Sequence, residues 1–237
     1  MSDKPIRDYI FPLIRAKRIA NKIKEPELIG TGFLIGKNGF ALTAAHVIEQ
    51  LTDNKNNDDV ILALFVVNGK WNAIEIAKYE KHPSEDIGII LLDNYKRESF
   101  LKIVNTSHLS ACEYHCWGYP HEVAKELKKL EENAPQRPDF IFTQGYVRRR
   151  INNELYPTII FRGKQFYELS ETVGGGNSGA PLIYKLSVGK NVWEVFGIYI
   201  GEKSEGNISY AVRSDAFANW IPEILDKSIE DESKNVA

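Results

Sequence analysis

Residues 174–181 read GGGNSGAP: four glycines, a serine and a proline within eight positions, running into the apolar stretch APLIY at 180–184. Glycine weakens a regular element, so a cluster this dense marks backbone that adopts unusual dihedrals or passes very close to something else. A plain loop between strands satisfies that requirement. A loop that presents Ser178 and turns bare N–H groups toward a reacting atom satisfies it as well, provided partners occur elsewhere in the chain.

A serine hydroxyl is a poor nucleophile at neutral pH; it needs a base within hydrogen-bond reach, and the base needs an orienting carboxylate. His46 lies in GTGFLIGKNGFALTAAHVIEQ (30–50), where two apolar strands flank a Lys37-Asn38-Gly39 turn and small residues lead to a histidine at the start of a helical turn. Asp86 lies in KHPSEDIGIILL (81–92), a polar loop that drops into a buried strand. A carboxylate at such a junction is held partly buried and can still face a neighbouring histidine. Taken singly, the histidine reads as a packed or capping residue, the aspartate as a turn cap and the serine as a loop residue.

Most of the chain reads as short strands, rich in β-branched and aromatic residues and bounded by Gly, Asn or Asp: 10–15, 27–35, 39–44, 60–67, 71–79, 86–92, 113–118, 139–148, 157–169, 180–184, 193–200 and 207–212. That density predicts an all-β barrel or sandwich. Two helices interrupt it. HEVAKELKKLEEN (121–133) sets Val123, Leu127 and Leu130 on one face, and the segment at about 214–227 has Ser214 as its cap and Phe217, Trp220, Ile221 and Leu225 as its apolar stripe. The tail 228–237 is polar and predicted to fray. Arg148–Arg150 follow a strand and read as a solvated hairpin end.

The segments TAAH (43–46), DIGIILL (86–92) and GNSGAP (176–181) resemble the His, Asp and Ser boxes of the trypsin-like, chymotrypsin-fold serine peptidases, in that family's chain order. The gaps, 40 residues from His46 to Asp86 and 92 from Asp86 to Ser178, are similar to the family's. GYP (118–120), TQGYV (143–147), FGIYIG (196–201) and SYAVRSDAFANWI (209–221) resemble its second-barrel segments, substrate-groove strand and C-terminal helix. The resemblance implies one peptidase domain over 1–237: two antiparallel six-stranded β-barrels, at about 1–110 and 111–213, with a C-terminal helix. It implies catalysis by His46, Asp86 and Ser178, with the N–H groups of Gly176 and Ser178 as the oxyanion hole and no metal or cofactor.

The departures from the family are informative. Digestive members carry an aspartate before the nucleophile, paired with a new N-terminus; here Asn177 stands there, and residues 1–30 show no Ile-Val-Gly-Gly start. The residue after the histidine is Val47 where secreted members have a disulfide cysteine, so the chain resembles the bacterial-type branch without disulfides. By the same resemblance Thr172, Tyr199 and Ile208 fall at the substrate pocket, where neither Thr172 nor Tyr199 offers a countercharge, and a bulky Ile208 wall favours small or medium apolar side chains. A peptidase lacking the N-terminal activation device calls for restraint by narrow specificity or by a regulatory protein partner. Two alternatives stand beside a constitutive peptidase: a latent enzyme, and a silent module that binds peptide without cutting it.

With 43% hydrophobic and 26% charged residues and a net charge of −2, the 237-residue chain has the composition of a globular protein, with no field that points to nucleic acid or a membrane surface. The N-terminal stretch has no apolar run suited to a secretory signal, and Cys112 and Cys116 are too sparse for a disulfide framework. Both features predict a reducing cytoplasm. Cys112, His115, Cys116 and His121 lack metal-site spacing, because adjacent residues on a strand point to opposite faces; a buried core thiol is the favoured reading.

Overall fold

The computed structural model describes residues 6–20, 22–53, 55–56, 58–67, 70–106, 111–127, 139–154, 161–187, 192–203 and 208–234. Six antiparallel strands close the first barrel: β1 (Ile10–Ile19), β2 (Lys22–Leu34), β3 (Phe40–Thr43), β4 (Asp59–Val67), β5 (Lys70–Lys81) and β6 (Gly88–Leu92), in the order β1-β2-β3-β6-β5-β4. Helix α1 (Ala45–Thr52) leaves β3 and buries Ala45, Val47, Ile48 and Leu51. It is two turns long where the sequence suggested one.

The second sheet is built on a ring of six strands: β8 (Glu113–Gly118), β9 (Ile141–Asn152), β10 (Gln165–Leu169), β13 (Ile208–Arg213), β12 (Trp193–Lys203) and β11 (Pro181–Tyr184), which pairs back with both β12 and β8. A three-residue strand that the sequence reading missed, β7 (Leu101–Ile103), adds parallel to the start of β12. It is too short for periodicity to reveal. β8 alternates between half-buried and buried positions, sending Tyr114 and Cys116 inward. One apolar cluster fills the first barrel and continues across the junction to Val195, Ile198, Ile200 and Val212; a second, with Tyr114, Tyr167, Phe196 and Tyr199, fills the second barrel.

The C-terminal helix lies later than the sequence placed it. Residues 214–227 form a 3-10 turn at Ser214–Ala216 followed by turns, because Pro222 supplies no N–H to a continuing helix. The supposedly frayed tail instead forms α2 (Ile229–Lys234), capped by Ser228, whose Oγ accepts from Asp231 N at 3.1 Å. Ile229, Glu232 and Ser233 are buried, and Ser233 Oγ accepts from Ile103 N of β7 at 3.0 Å. The segment read as a helix over 121–133 is a 3-10 helix at His121–Leu127, and its remainder lies outside the described residues, as does the start of the strand expected at 157–169. Arg148–Arg150 sit inside β9; Arg148 and Arg149 pair with the buried Glu168. No helix among the described residues is long and apolar enough to cross a membrane.

Candidate active site

β3 and β6 are neighbours, and their register pairs Thr43 with Gly88. His46 follows Thr43 by three residues at the start of α1, and Asp86 precedes Gly88 by two, so the paired strand ends bring the two side chains together. Asp86 Oδ2 lies 2.7 Å from His46 Nδ1, and Asp86 Oδ1 accepts from His46 N at 2.9 Å. The aspartate side chain is 4% exposed and the imidazole 29%. An ionised carboxylate facing Nδ1 places the ring proton there and leaves Nε2 with its lone pair. The arrangement can receive a proton at Nε2 and stabilise the resulting imidazolium.

The Ser178 loop is seated on the first barrel by two buried threonines. Thr31 N donates to Ser178 O at 2.9 Å, and Thr31 Oγ1 donates to Gly176 O at 3.1 Å while accepting from Tyr119 N at 3.1 Å. Thr43 Oγ1 in turn donates to Thr31 O at 2.8 Å. Gly179, with φ +94°, presses so closely on this pair that a Cβ would lie 2.1 Å from Thr31 O and 2.2 Å from Thr43 Oγ1. These contacts hold the serine loop against the segment that enters His46. Thr31 lies in GTGF, read only as strand; nothing in that alternation distinguishes it from a core threonine.

Ser178 Oγ donates to Ile200 O of β12 at 3.3 Å, and among the described residues no hydrogen bond joins it to His46. Gly176 has φ +91°, and neither its N–H nor that of Ser178 has an acceptor among the described residues. The peptide between Gly175 and Gly176 is held by His121 N, which donates to Gly175 O at 2.7 Å. Because a trans peptide opposes its C=O and N–H, that bond turns the Gly176 N–H the other way. Asn177 is fully buried; its Nδ2 donates to Val173 O and to Gly174 O, so the amide braces the loop from within.

Of the residues assigned to the pocket by sequence, Thr172 is exposed, Ile208 is half-buried at the start of β13, and Tyr199 is 1% exposed in the second-barrel core. Tyr199 is tied to the serine loop through its backbone, accepting from Gly179 N at 2.8 Å and donating to Ala180 O at 2.9 Å. Burial pushes its phenol well above the usual tyrosine range, so it stays neutral. Cys116 points into the second-barrel core, His115 packs on the outer face with Trp117 and Phe142, and His121 stands beside Gly176. Burial pushes the Cys116 thiol up to about 12. Both cysteines are free thiols, and among the described residues no group of three His, Cys, Asp or Glu side chains is placed to hold a metal.

The sequence pattern of the trypsin-like peptidase domain matches residues 30–189, from the hairpin before His46 to beyond the serine loop. No curated protein matches the chain. Among solved structures, the active form of the Rv3671c protease from M. tuberculosis is similar over 90% of this chain and 79% of its own, at 16% identity and a TM-score of 0.59. The MamO protease domain from Magnetospirillum magneticum is similar over 93% of this chain and 99% of its own, at 12% identity and a TM-score of 0.60. Deg5 is similar over 88% of this chain and 85% of its own, at 14% identity and a TM-score of 0.62. At these identities the likeness is one of fold.

Proposed function

The chain belongs to the trypsin-like peptidase domain family, and we propose that it is a serine endopeptidase acting on a restricted protein substrate in the cytoplasm. Ser178 Oγ attacks the scissile carbonyl, His46 Nε2 takes its proton and passes it to the leaving amine, and Asp86 orients the ring and stabilises its charged form. The N–H groups of Gly176 and Ser178 receive the oxyanion, a role in which one such donor contributes about 10²–10³ in turnover. The observation that carries this reading is the 2.7 Å contact of His46 Nδ1 with Asp86 Oδ2, beside a serine loop whose two N–H groups have no acceptor among the described residues. Exposed Thr172 carries no countercharge for an acidic or basic side chain, and Tyr199 is buried in the second-barrel core, which favours a small or medium apolar residue before the cut, against Ile208. The two free thiols agree with a reducing compartment.

One observation favours latency as a second reading: Ser178 Oγ is engaged by Ile200 O, so attack requires it to turn toward His46. A protein partner or a substrate strand that competes for Ile200 O would release it. Cleavage of a peptide library, read by mass spectrometry for wild type and Ser178→Ala, tests the proposal. Cuts after apolar residues that vanish in the variant support it; identical digests, or none from wild type with any library or partner, contradict it.

A further inference from the structure

The loop that carries Asp86 is closed by His82 N donating to Ile87 O at 2.8 Å, immediately beyond the last β5–β6 pair, Lys81 with Gly88. Inside this closure the His82 ring does what an Asx side chain does in a turn. Its Nδ1 accepts from Ser84 N at 3.2 Å and from Glu85 N at 3.0 Å, satisfying two successive main-chain donors just before Asp86. An imidazole accepting at Nδ1 is neutral, with its proton on Nε2.

The surroundings favour that neutral form. His82 is 9% exposed and its ring meets Trp220 edge-on, with centroids 5.0 Å apart. Arg162, from the second barrel, donates to His82 O and also faces Glu49. Burial, with the Arg162 charge adding to it, lowers the His82 pKa to about 4. Glu85, 3% exposed, accepts from Lys164 N at 3.0 Å, and burial pushes its carboxyl above the usual carboxylate range. The loop is therefore tied both to the second barrel and, through Trp220, to the C-terminal segment. Both hydrogen bonds of the Asp86 carboxylate among the described residues go to His46, so its aim depends on the backbone that the bonds of this turn hold.

We propose that His82 is a positioning residue for Asp86: the lone pair on its Nδ1 fixes the turn that holds the Asp86 carboxylate against His46. This rests on the triad reading above. His82 touches neither substrate nor the reacting atoms, so its effect falls on kcat and on the rate of nucleophile labelling, leaving KM unchanged. Since a 1 Å misplacement of a catalytic group can lower a rate by about 10², a loss of about tenfold or more is expected when the acceptor goes.

Two variants separate the lone pair from the ring. His82→Phe keeps an aromatic edge for Trp220 and has no acceptor; His82→Asn loses the ring and keeps an acceptor suited to an Asx-Pro turn, since Pro83 follows. Rates of fluorophosphonate labelling at Ser178 are measured with the one-dimensional proton spectrum, in which the His46 Nδ1–H shared with Asp86 is expected as a far-downfield signal. The expected result is His82→Phe slowed about tenfold or more, with that signal broadened by exchange, and His82→Asn within about threefold of wild type with the signal retained. Wild-type behaviour of His82→Phe in both readouts, or equal loss in both variants, overturns the proposal. If His82→Phe does not fold, His82→Asn alone decides by the same limits. If wild type is not labelled at all, the constitutively active peptidase fails and the latent one stands, and the proton spectra still test His82 by themselves.

Discussion

Asp86 gives both of its oxygens to one residue, the ring and the backbone N–H of His46, and this concentrates its effect on a single tautomer. Replacing the carboxylate by an amide keeps the shape and admits the wrong tautomer, so Asp86→Asn is expected to lower kcat by about 10⁴ with KM nearly unchanged. Steady-state kinetics on the best peptide from the library checks it; a loss confined to KM would assign Asp86 to binding. Gly179 is constrained more sharply than Gly176. It combines φ +94° with a Cβ position 2.1 Å from Thr31 O and 2.2 Å from Thr43 Oγ1, and the Thr31 obstruction is backbone. Gly179→Ala is expected to destabilise the fold by about 1–3 kcal/mol from the strained conformation alone, measured by urea denaturation. Stability equal to wild type would mean that the serine loop does not sit on Thr31 as described.

At the scale of elements, two short segments set the site: the turn at 82–87 and the 3-10 helix beginning at His121. His121 N fixes the Gly175 carbonyl, and proline at the first helical position supplies no N–H while fitting the backbone. His121→Pro should therefore leave the fold intact and slow fluorophosphonate labelling about tenfold or more by loosening the Gly176 N–H, less than outright loss of an oxyanion donor. Circular dichroism and labelling rate together check this, and an unchanged rate would contradict it. For the 82–87 turn, His82 in the native state stays neutral down to about pH 4, whereas in the unfolded chain it takes its proton near 6.5. Between those values the unfolded state binds more protons, so the His82 contribution to stability is lost as pH falls from 6.5 to 4. Comparing wild type with His82→Asn cancels the opposing effect of Glu85. The stability advantage of wild type should shrink across that window, and a constant difference would show that His82 does not titrate as its burial dictates. Apart from the short β7, the strands were legible because each alternates or runs apolar between turn residues; His46, Asp86 and Ser178 were legible as candidates because each stands in a distinctive local context. His82, Thr31 and the His121 N–H were not. Their partners lie across turns or between barrels, and a backbone donor leaves no mark on residue type. The helix at Ile229–Lys234 was hidden for a related reason: Glu232 and Ser233 look solvated, yet both are buried and meet tertiary partners, Asn38 Nδ2 at 3.4 Å and Ile103 N at 3.0 Å.

Across the whole molecule, the two barrels meet along Thr31 and the serine loop on one side and along Glu85, Arg162 and Lys164 on the other, while α2 ties the tail to β7. Stability and chemistry can therefore be separated. Ile229→Ala, far in sequence from every site residue and fully buried, is expected to cost about 2–4 kcal/mol in urea denaturation while the folded protein labels at the wild-type rate. Slower labelling of the folded variant would instead couple α2 to the site. Under the proposed function Ser178, His46 and Asp86 act as one nucleophilic unit. This is tested most directly by incubating the purified chain with a fluorophosphonate and reading covalent mass addition, alongside Ser178→Ala and His46→Ala. One adduct per wild-type chain, absent from both variants, is the predicted result; a well-folded wild type that gains no mass, or an adduct that survives in Ser178→Ala, would contradict it.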